Sequence, residues 1–391
     1  MRFVQEGRAA NRNAPPSPDR GTWALPWLTS RTHFVSMSSR RMTNGYDGWP
    51  PAGEVVDANV LLYAVNSADP RWRPHLSARG PPRLICRAAN RTPGRFLCET
   101  EAVPELPEVH GLAQALAAHA TGRVVRAVHV TSFPALKTYD PPPTALVGAT
   151  VTGVRRHGKW LDMVASSQDG ERHLVFHLAR AGWVRWHDAA PAKMPRAGKS
   201  GLAARVVLDE GAFDLTEAGT TKRLAIHVVR DVNDVEAIAR LGVDPLSDEF
   251  TPELLDELLD AKNQQVKGML RAQSVIAGIG NAYSDEILHA ARLSPFALTR
   301  SLDAGARERL FASIGEVLGV AIEAASGKEV GELKDVKRSG MSVHGRTGQP
   351  CPVCGDVIAE VSFADSSLQY CPTCQTGGKP LADRRMSKLL R

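Results

Sequence analysis

The sequence lacks any long run of apolar residues. None of its apolar stretches approaches the roughly 20 residues that a membrane-spanning helix requires, although 43% of the 391 residues are hydrophobic. The first 21 residues also lack the continuous apolar segment of a secretory signal peptide. We therefore expect a cytoplasmic protein with no membrane partner.

Lysine is absent from residues 1–103, which contain 14 arginines against 8 Asp and Glu. That segment alone carries the net charge of +6, because residues 104–391 hold 34 Lys and Arg and 34 Asp and Glu. The pI near 9.1 therefore does not indicate a generally basic surface for nucleic acid. Nucleic-acid contacts after residue 103 have to come from local patches, such as the basic tail 377–391.

Residues 1–103 also lack a sustained helical or strand periodicity, and they contain 11 of the 26 prolines. We interpret this segment as a spurious or disordered extension. Within it, residues 54–75 resemble the start of a toxin-type PIN-domain ribonuclease, in which Asp57 would be a metal ligand. The resemblance covers only these 22 residues, and a gene remnant or a chance strand is the favoured explanation.

The pattern changes at residue 104. Pro107 and Glu108 suit the first turn of a helix, and apolar residues then recur at helical spacing up to Gly122. Short segments follow in which β-branched and polar residues alternate between glycine, aspartate and proline breaks. This order predicts a domain over 104–240 with a leading helix and an antiparallel β-sandwich or barrel of six to eight strands.

Helical periodicity then replaces strand alternation. Thr251 precedes an amphipathic run as an N-cap would, and two further helical runs flank a glycine-rich turn. We predict a helical domain over 245–342. In the turn, Gly278, Gly280 and Asn281 would direct backbone N–H groups outwards as a phosphate-binding site does. A helical hairpin packed on the core is the alternative.

The clearest chemical signal lies in residues 343–391. Two Cys-x2-Cys pairs are separated by 16 residues, a spacing typical of a zinc site with four thiolate ligands: Cys351, Cys354, Cys371 and Cys374. Four protein ligands leave no open position, so we expect one structural zinc ion. Two disulfides or four free thiols are the alternatives, and we assign no role to Cys86 and Cys98.

Together these motifs resemble the formamidopyrimidine-DNA glycosylase and endonuclease VIII family. The matching features are PELPEV at 104–109, HGKWLD around Lys159, GIGNAYSDEIL, and HGRTGQPCPVCG followed by YCPTCQ. The resemblance covers 104–391. It implies an α+β protein with an N-terminal antiparallel β-sandwich, a C-terminal helix-two-turn-helix DNA-binding domain and a four-cysteine zinc-finger hairpin.

The resemblance implies a bifunctional DNA glycosylase and AP lyase of base excision repair, acting as a monomer on damaged double-stranded DNA at the bacterial nucleoid. In this family the N-terminal proline attacks C1′ of a flipped-out nucleotide, forms an iminium and cleaves the strand by β,δ-elimination. That role falls on Pro104, with Glu105 as general acid and base and Lys159 as a phosphate contact or acid. Each residue alone has an ordinary structural explanation, so the hypothesis depends on the combination.

The resemblance also implies DNA contacts outside this trio. They are Lys222, Arg223, Leu224, Lys267, Gly278, Gly280, Asn281 and Arg346. Leu224 would be the apolar wedge that fills the space left by the flipped base. Lys267 and Arg346 would bind phosphates as local cations.

Several positions depart from the family pattern. Ser366 stands where the zinc hairpin usually carries a phosphate-binding arginine, so Gln369 or the basic tail would have to supply that contact. Ala179 and Arg180 stand near the position of a space-filling methionine. The stretch that follows 333–335 is shorter than in 8-oxoguanine enzymes by about the length of their base-capping loop. We therefore do not expect a strong preference for 8-oxoguanine.

The internal position of Pro104 conflicts with a nucleophilic role. Its nitrogen is acylated by Val103, and the lone pair of an amide nitrogen is conjugated to the carbonyl. We expect translation to begin at Val103 through a GUG codon, and loss of that residue to free the Pro104 amine; proteolytic maturation is the alternative. If the amine is not freed, the competing hypothesis is a non-catalytic protein that binds damaged DNA.

Overall fold

The computed structural model describes residues 103–193, 201–218, 221–363 and 366–382, all within the compact unit Pro93–Arg391. The segment 54–75, Cys86, Cys98 and the basic tail beyond residue 382 lie outside the described residues. Among the residues that are described, no helix combines the length and the apolar character needed to cross a membrane.

Helix α1 (Leu106–Ala120) is the predicted leading helix. Pro107 is accommodated in its first turn, because N–H groups there have no partner within the helix. The Glu108 carboxylate accepts the Glu105 N–H at 2.8 Å, which satisfies the amide just before the helix. After the helix, Gly122 adopts a φ of 84° and turns the chain towards the first strand.

Two four-stranded sheets follow α1. The first has the strand order β1 (Val125–Val130), β6 (Leu202–Leu208), β7 (Ala212–Glu217), β5 (Gly182–His187). The second has the order β2 (Thr150–His157), β3 (Trp160–Ser167), β4 (Gly170–His177), β8 (Ala225–Val229). Neighbouring strands are antiparallel throughout both sheets.

The two sheets enclose an apolar core. Phe176 from β4 and Phe213 from β7 are both buried, and their ring centroids are 6.2 Å apart across the sandwich. Leu112 and Leu116 of α1 belong to the same buried cluster. The two sheets thus pack face to face as a β-sandwich, with continuous runs of buried residues in β3 and β4, and the predicted fold class is confirmed.

A helical region follows the sandwich. Its helices are α2 (Glu236–Ala239), α3 (Pro252–Ala261), α4 (Val266–Arg271), α5 (Asn281–Ala290), α6 (Ala304–Ala325) and α7 (Leu333–Gly340). Thr251 caps α3 by accepting the Leu254 N–H at 3.3 Å, as predicted. Ile287 and Leu288 of α5 are fully buried in the core of this region, so α5 is its central helix.

The C-terminal part of the described chain is a hairpin with two cysteine turns. It consists of β9 (Ala359–Ser362), β10 (Ser367–Tyr370) and the short helix α8 (Pro372–Thr376). Strands β9 and β10 pair antiparallel, with Leu368 opposite Val361. Strand β10 contacts α5, which connects the hairpin to the helical core.

Helices α1 and α7 join the sandwich to the helical region. Leu106 at the start of α1 lies in the helical core, whereas Val109 lies in the sandwich core. Leu333 of α7 is fully buried in the sandwich core. Trp183 of β5 also donates its indole N–H to the Val330 carbonyl at 3.1 Å. Residues of the helical region therefore contribute to the sandwich core, and α1 contributes to both cores.

This junction predicts a large effect for Leu333→Ala. The substitution removes a fully buried side chain, so the free energy of unfolding should fall by about 2–5 kcal/mol. The matched control is Val320→Ala on α6, where the side chain is 64% exposed and a change below about 0.5 kcal/mol is expected. Urea denaturation measures both, and equal effects would contradict the packing of Leu333 in the sandwich core.

Candidate active site and zinc centre

The Val103–Pro104 peptide lies where α1 meets α5 and α7. Pro104 is buried, and the Val103 carbonyl oxygen accepts a hydrogen bond from Lys337 Nζ of α7 at 2.7 Å. Just beyond it, the Leu106 N–H donates to the Gly278 carbonyl at 3.0 Å, in the turn before α5. The backbone on both sides of the Pro104 nitrogen is therefore fixed, by α7 before it and by the turn preceding α5 after it.

The Glu105 carboxylate caps the N-terminus of α5. Its two oxygens accept N–H bonds from Gly280 at 2.6 Å, Ala282 at 2.9 Å and Tyr283 at 3.3 Å. These are the amides that a helix leaves without internal partners, at the end where its dipole favours negative charge. The predicted catalytic carboxylate thus also fixes α1 to α5.

The Gly280 amide of the glycine-rich turn binds this carboxylate, and the phosphate-binding role of Gly278 and Gly280 stays a prediction. A Cβ on Gly280 would lie 2.3 Å from the Glu105 carboxyl carbon, so only glycine permits the approach. Gly278, with a φ of 94°, donates its N–H to Gln273 Oε1 at 2.9 Å. Both N–H groups therefore donate to acceptors inside the protein. The sequence alone did not indicate that the Glu105 carboxylate would be the anion bound at this turn.

Glu105 is ionised in this setting. Burial alone would raise the pKa of its carboxyl group, but the positive charges of Lys337 and Lys159 and the Ala282 N–H outweigh burial and lower the pKa to about 2. Because the folded-state pKa lies below the ordinary value of 4.5, the stabilisation from the carboxylate is complete above pH 4.5. It is lost as the pH falls from 4.5 towards 2.

Lys337 is a functional candidate that sequence reasoning missed. Besides the Val103 oxygen, its ammonium contacts Glu108 Oε2 at 2.9 Å and Glu105 Oε1 at 3.9 Å. Tyr283 donates its hydroxyl to the other Glu108 oxygen at 2.6 Å, and its ring lies 5.0 Å from the Lys337 ammonium. Lys337 is 234 residues away from Val103 along the chain, so no local motif could reveal the contact.

Lys159 occupies the turn between β2 and β3, close to Glu105. Gly158 has a φ of 55°, and a Cβ there would lie 3.3 Å from Ala277, so the turn packs against the start of the glycine-rich segment. Burial lowers the pKa of Lys159, while the charge of Glu105 opposes that shift. Among the described residues, the Lys159 ammonium has no hydrogen-bond partner. The structure thus brings Pro104, Glu105 and Lys159 together.

Lys267 does not lie on a DNA-accessible surface, which corrects the prediction that it binds phosphate. It is only 5% exposed, and its ammonium contacts Asp285 Oδ1 at 2.6 Å, Ser284 Oγ at 2.7 Å and the Asn281 carbonyl at 3.2 Å. The reason is that α4 turns this face towards the first turn of α5. Lys267 therefore neutralises a buried aspartate and holds α4 against α5.

Leu224 is not an apolar wedge, which corrects a second prediction. It is 1% exposed and belongs to the sandwich core, with its N–H bonded to Glu217 Oε1 at 2.9 Å. Lys222 and Arg223 just before it are exposed. Leu224 directly precedes β8. Its side chain lies on the same buried face as those of Ile226 and Val228. Of the three predicted contacts Lys222, Arg223 and Leu224, only Lys222 and Arg223 are accessible to a ligand.

The remaining predicted contacts have internal partners of their own. Asn281 donates Nδ2 to the Ser367 carbonyl at 2.8 Å, which ties α5 to the hairpin. Arg346 is half-buried and bonds Gln349 Oε1 and the Met341 carbonyl, both at 3.1 Å. Both side chains keep part of their donor capacity.

Gln369 is not available as a substitute for the missing arginine. It is 4% exposed, and its amide bonds Glu360, Ser367 and the Gly345 N–H. Ser366 is partly exposed at the hairpin. At the other departure from the family pattern, Ala179 has a φ of 55°, and its N–H donates to His177 Nδ1 at 3.0 Å.

The four predicted cysteines converge. The Sγ atoms of Cys354 and Cys371 are 3.3 Å apart and those of Cys351 and Cys374 are 3.9 Å apart, while no disulfide joins any of them. Tetrahedral coordination with Zn–S bonds near 2.3 Å requires sulfur atoms about 3.8 Å apart. The set therefore fits a structural zinc ion, as predicted.

His289 adds a nitrogen to this cluster. Its Nε2 is 3.3 Å from Cys351 Sγ, and the ligand atoms of His289, Cys351, Cys371 and Cys374 all lie within 4.8 Å of one another. His289 lies in the last turn of α5, so the helix that begins at the Glu105 carboxylate ends at the zinc centre. The proximity of His289 to the cysteines was not predicted, because His289 lies 62 residues before Cys351.

The contact between Gly280 and Glu105 predicts a costly Gly280→Ala substitution. The added methyl group would displace the carboxylate from the α5 N-terminus, and a loss of about 1–3 kcal/mol in the free energy of unfolding is expected. The control is Gly268→Ala in α4, where a Cβ meets no atom within 4 Å and helix propensity favours alanine. If urea denaturation shows both variants unchanged, the carboxylate does not depend on the close approach.

The zinc centre predicts loss of metal from Cys371→Ser. Removing one thiolate should reduce the zinc content from one atom per chain to near zero and unfold the hairpin, while the sandwich stays folded. Val353→Ser is the matched control, because Val353 is 62% exposed between two ligands and contributes none. Elemental analysis gives the zinc content; a parental chain without zinc would refute the assignment.

Family models match three consecutive parts of the chain. The formamidopyrimidine-DNA glycosylase N-terminal domain matches residues 103–217, the H2TH domain of that enzyme matches 241–331, and a zinc finger found in FPG and IleRS matches 348–377. An uncharacterised formamidopyrimidine-DNA glycosylase-like protein of Mycobacterium tuberculosis is 54% identical over 151 residues, which cover 39% of this chain and 94% of that protein.

Longer relatives and solved structures agree with these matches. The formamidopyrimidine-DNA glycosylase of Symbiobacterium thermophilum is 33% identical over 299 residues, covering 72% of this chain and 93% of that protein. The Thermus thermophilus MutM (Fpg) structure has a TM-score of 0.60 and 28% identity, covering 71% of this chain and 100% of its own. Lactococcus lactis Fpg in complex with abasic-site DNA has a TM-score of 0.61 and 25% identity over 70% of this chain and 99% of its own. On these grounds the chain belongs to the formamidopyrimidine-DNA glycosylase family of DNA repair enzymes.

Proposed function

We propose that this chain is a bifunctional DNA glycosylase and AP lyase that uses the nitrogen of Pro104 as its nucleophile. The observation that carries the proposal is the position of that nitrogen: it is buried beside Glu105 and within reach of two lysines, Lys337 and Lys159. A proline that only begins a helix does not need a carboxylate and two ammonium groups around its nitrogen. Residues 104–240 would be the catalytic domain, 245–342 the helix-two-turn-helix domain and 343–391 the zinc finger.

The proposal requires the Val103–Pro104 bond to be absent from the active form. An amide nitrogen does not attack carbon, whereas the secondary amine of an N-terminal proline does, and it forms an iminium with an aldehyde. Residues 104–391 correspond in extent to the whole Thermus chain, and every described core cluster lies within them. A chain that begins at Pro104 is therefore expected to fold.

Glu105 would act first as a base in this reaction. With a pKa of about 2 it carries no proton at neutral pH, so it accepts one from the Pro104 amine or from the sugar and later returns it. Its negative charge also stabilises the cationic iminium beside it. Elimination at the 3′ and then the 5′ phosphate would complete the lyase reaction, with Lys159 as the cation nearest to a phosphate.

The substrate would be damaged double-stranded DNA, with accessible cations at Lys222, Arg223 and Arg346 as backbone contacts. Asn281 would hold the strand near the lesion through its remaining donor capacity. The Lactococcus relative is bound to DNA with an abasic site, which supports this class of ligand. Zinc, when bound, would supply rigidity to the hairpin and no chemistry.

The second candidate function is binding of damaged DNA without catalysis. The observation that favours it is the hydrogen bond from Lys337 Nζ to the Val103 carbonyl oxygen at 2.7 Å. The site thus has a donor for the oxygen of the intact Val103–Pro104 amide. In this case the acyl group would permanently block the nucleophile.

Borohydride trapping separates the two functions. A chain that begins at Pro104 should form a covalent adduct with abasic-site DNA and cleave the strand, because its amine is free. The matched control retains a single further residue, Val103, and should form no proline adduct. The full chain is the third sample, and intact mass spectrometry identifies the linked residue. An equal adduct yield with Val103 present, or none from the chain beginning at Pro104, would contradict the glycosylase mechanism.

A further inference from the structure

The Val103 acyl group occupies the position that a substrate takes when it reacts with Pro104. Its carbonyl carbon is bonded to the Pro104 nitrogen, as C1′ of an abasic sugar becomes bonded when the amine attacks it. Its oxygen stands in for the aldehyde oxygen on C1′. This inference rests on the proposed function, because it assigns a partner to that oxygen.

The partner of the oxygen is Lys337. Its Nζ donates to the Val103 carbonyl at 2.7 Å, and standard bond lengths then place it within about 5 Å of the Pro104 nitrogen. By contrast, the Lys159 ammonium makes no such bond to the acyl oxygen. Of Lys337 and Lys159, only Lys337 thus marks where a C1′ oxygen would lie.

We propose that Lys337 is a further catalytic residue, which donates a hydrogen bond to the C1′ oxygen of the abasic site and protonates it for departure as water. A primary ammonium suits this role because it has three donors and can release one proton. Glu108 holds one donor at 2.9 Å. The second is directed at the oxygen, and the Tyr283 ring lies beside the ammonium at 5.0 Å.

The reaction balances with these groups. The Pro104 amine attacks the C1′ aldehyde, the N–C1′ bond forms, and the C=O π pair moves onto oxygen. The oxygen takes one proton that originates from the Pro104 N–H and a second from the Lys337 ammonium, and then leaves as water. The nitrogen lone pair closes the iminium. Lys337 is left neutral and regains its proton from solvent.

Lys337 also lines a cavity whose lining does not include Val103 or Pro104. This cavity of about 220 Å³ lies between α6 and α7, and Lys337, Glu108 and Tyr283 form part of its lining. The cavity also borders Val320, which is 64% exposed. Water in this cavity can return the proton to Lys337 without entering the space that the sugar occupies.

The first test compares Lys337→Gln with the parental chain, both beginning at Pro104. Single-turnover borohydride trapping on abasic-site DNA should slow by roughly 100-fold, the usual contribution of a positioned general acid. Affinity for DNA with a tetrahydrofuran abasic analogue, which carries no C1′ oxygen, should stay within about twofold because no bond to that oxygen is lost. Fluorescence anisotropy measures the affinity.

Two further variants separate chemistry from structure. Lys337→Arg keeps the positive charge and the hydrogen-bond donors but does not release a proton, so it should recover only a small part of the trapping rate. Lys334→Gln removes the same charge from the same helix, next to the Trp183 ring, and should leave the rate unchanged. Lys337→Gln combined with Glu108→Gln avoids an unpaired buried carboxylate and should remain slow in a fully folded chain.

The outcomes are distinguishable. Unchanged trapping by Lys337→Gln, full recovery by Lys337→Arg, or equal losses of trapping and tetrahydrofuran affinity would each overturn the role of Lys337. If the parental chain beginning at Pro104 forms no adduct, the proposed function itself fails, and the inference fails with it. Slow trapping with intact affinity, restored neither by arginine nor by neutralising Glu108, is the result that supports it.

Discussion

The structure depends on one interaction, the Glu105 carboxylate at the N-terminus of α5. Three backbone N–H groups converge on this side chain, and together with the Leu106 and Glu108 contacts it fixes the start of α1 to the helical region. A buried carboxylate without such donors would take up a proton and lose its charge. With them it stays ionised, so the same contact holds the fold together and keeps a negative charge next to Pro104.

Helix α5 extends this arrangement to the rest of the molecule. Asp285 accepts bonds from Lys267 and from His344 at 2.8 Å, and Glu286 accepts three N–H groups from residues 342–344. At the end of the helix, His289 reaches the cysteine cluster. A single helix of ten residues therefore positions the carboxylate, the segment before the zinc finger and the zinc centre.

The sequence predicted the parts of the structure that depend on local pattern. Strand alternation indicated the sandwich, and Cys-x2-Cys spacing indicated the zinc site, because both are set by neighbours along the chain. Lys267 and Leu224 were placed wrongly because their environment depends on distant residues: Asp285 buries the first and the sandwich core buries the second. Lys337 was missed for the same reason. The roles of Pro104, Glu105 and Lys159 stay predictions, although the structure brings the three together.

The sharing of α1 between two cores has a mechanical consequence. Leu106 is anchored in the helical region and Val109 in the sandwich, less than one helical turn apart. A hinge motion between the regions would therefore pivot close to Pro104. Pro104, next to that pivot, would hardly move. A change in the angle between the two regions would therefore leave the surroundings of Pro104 almost unchanged.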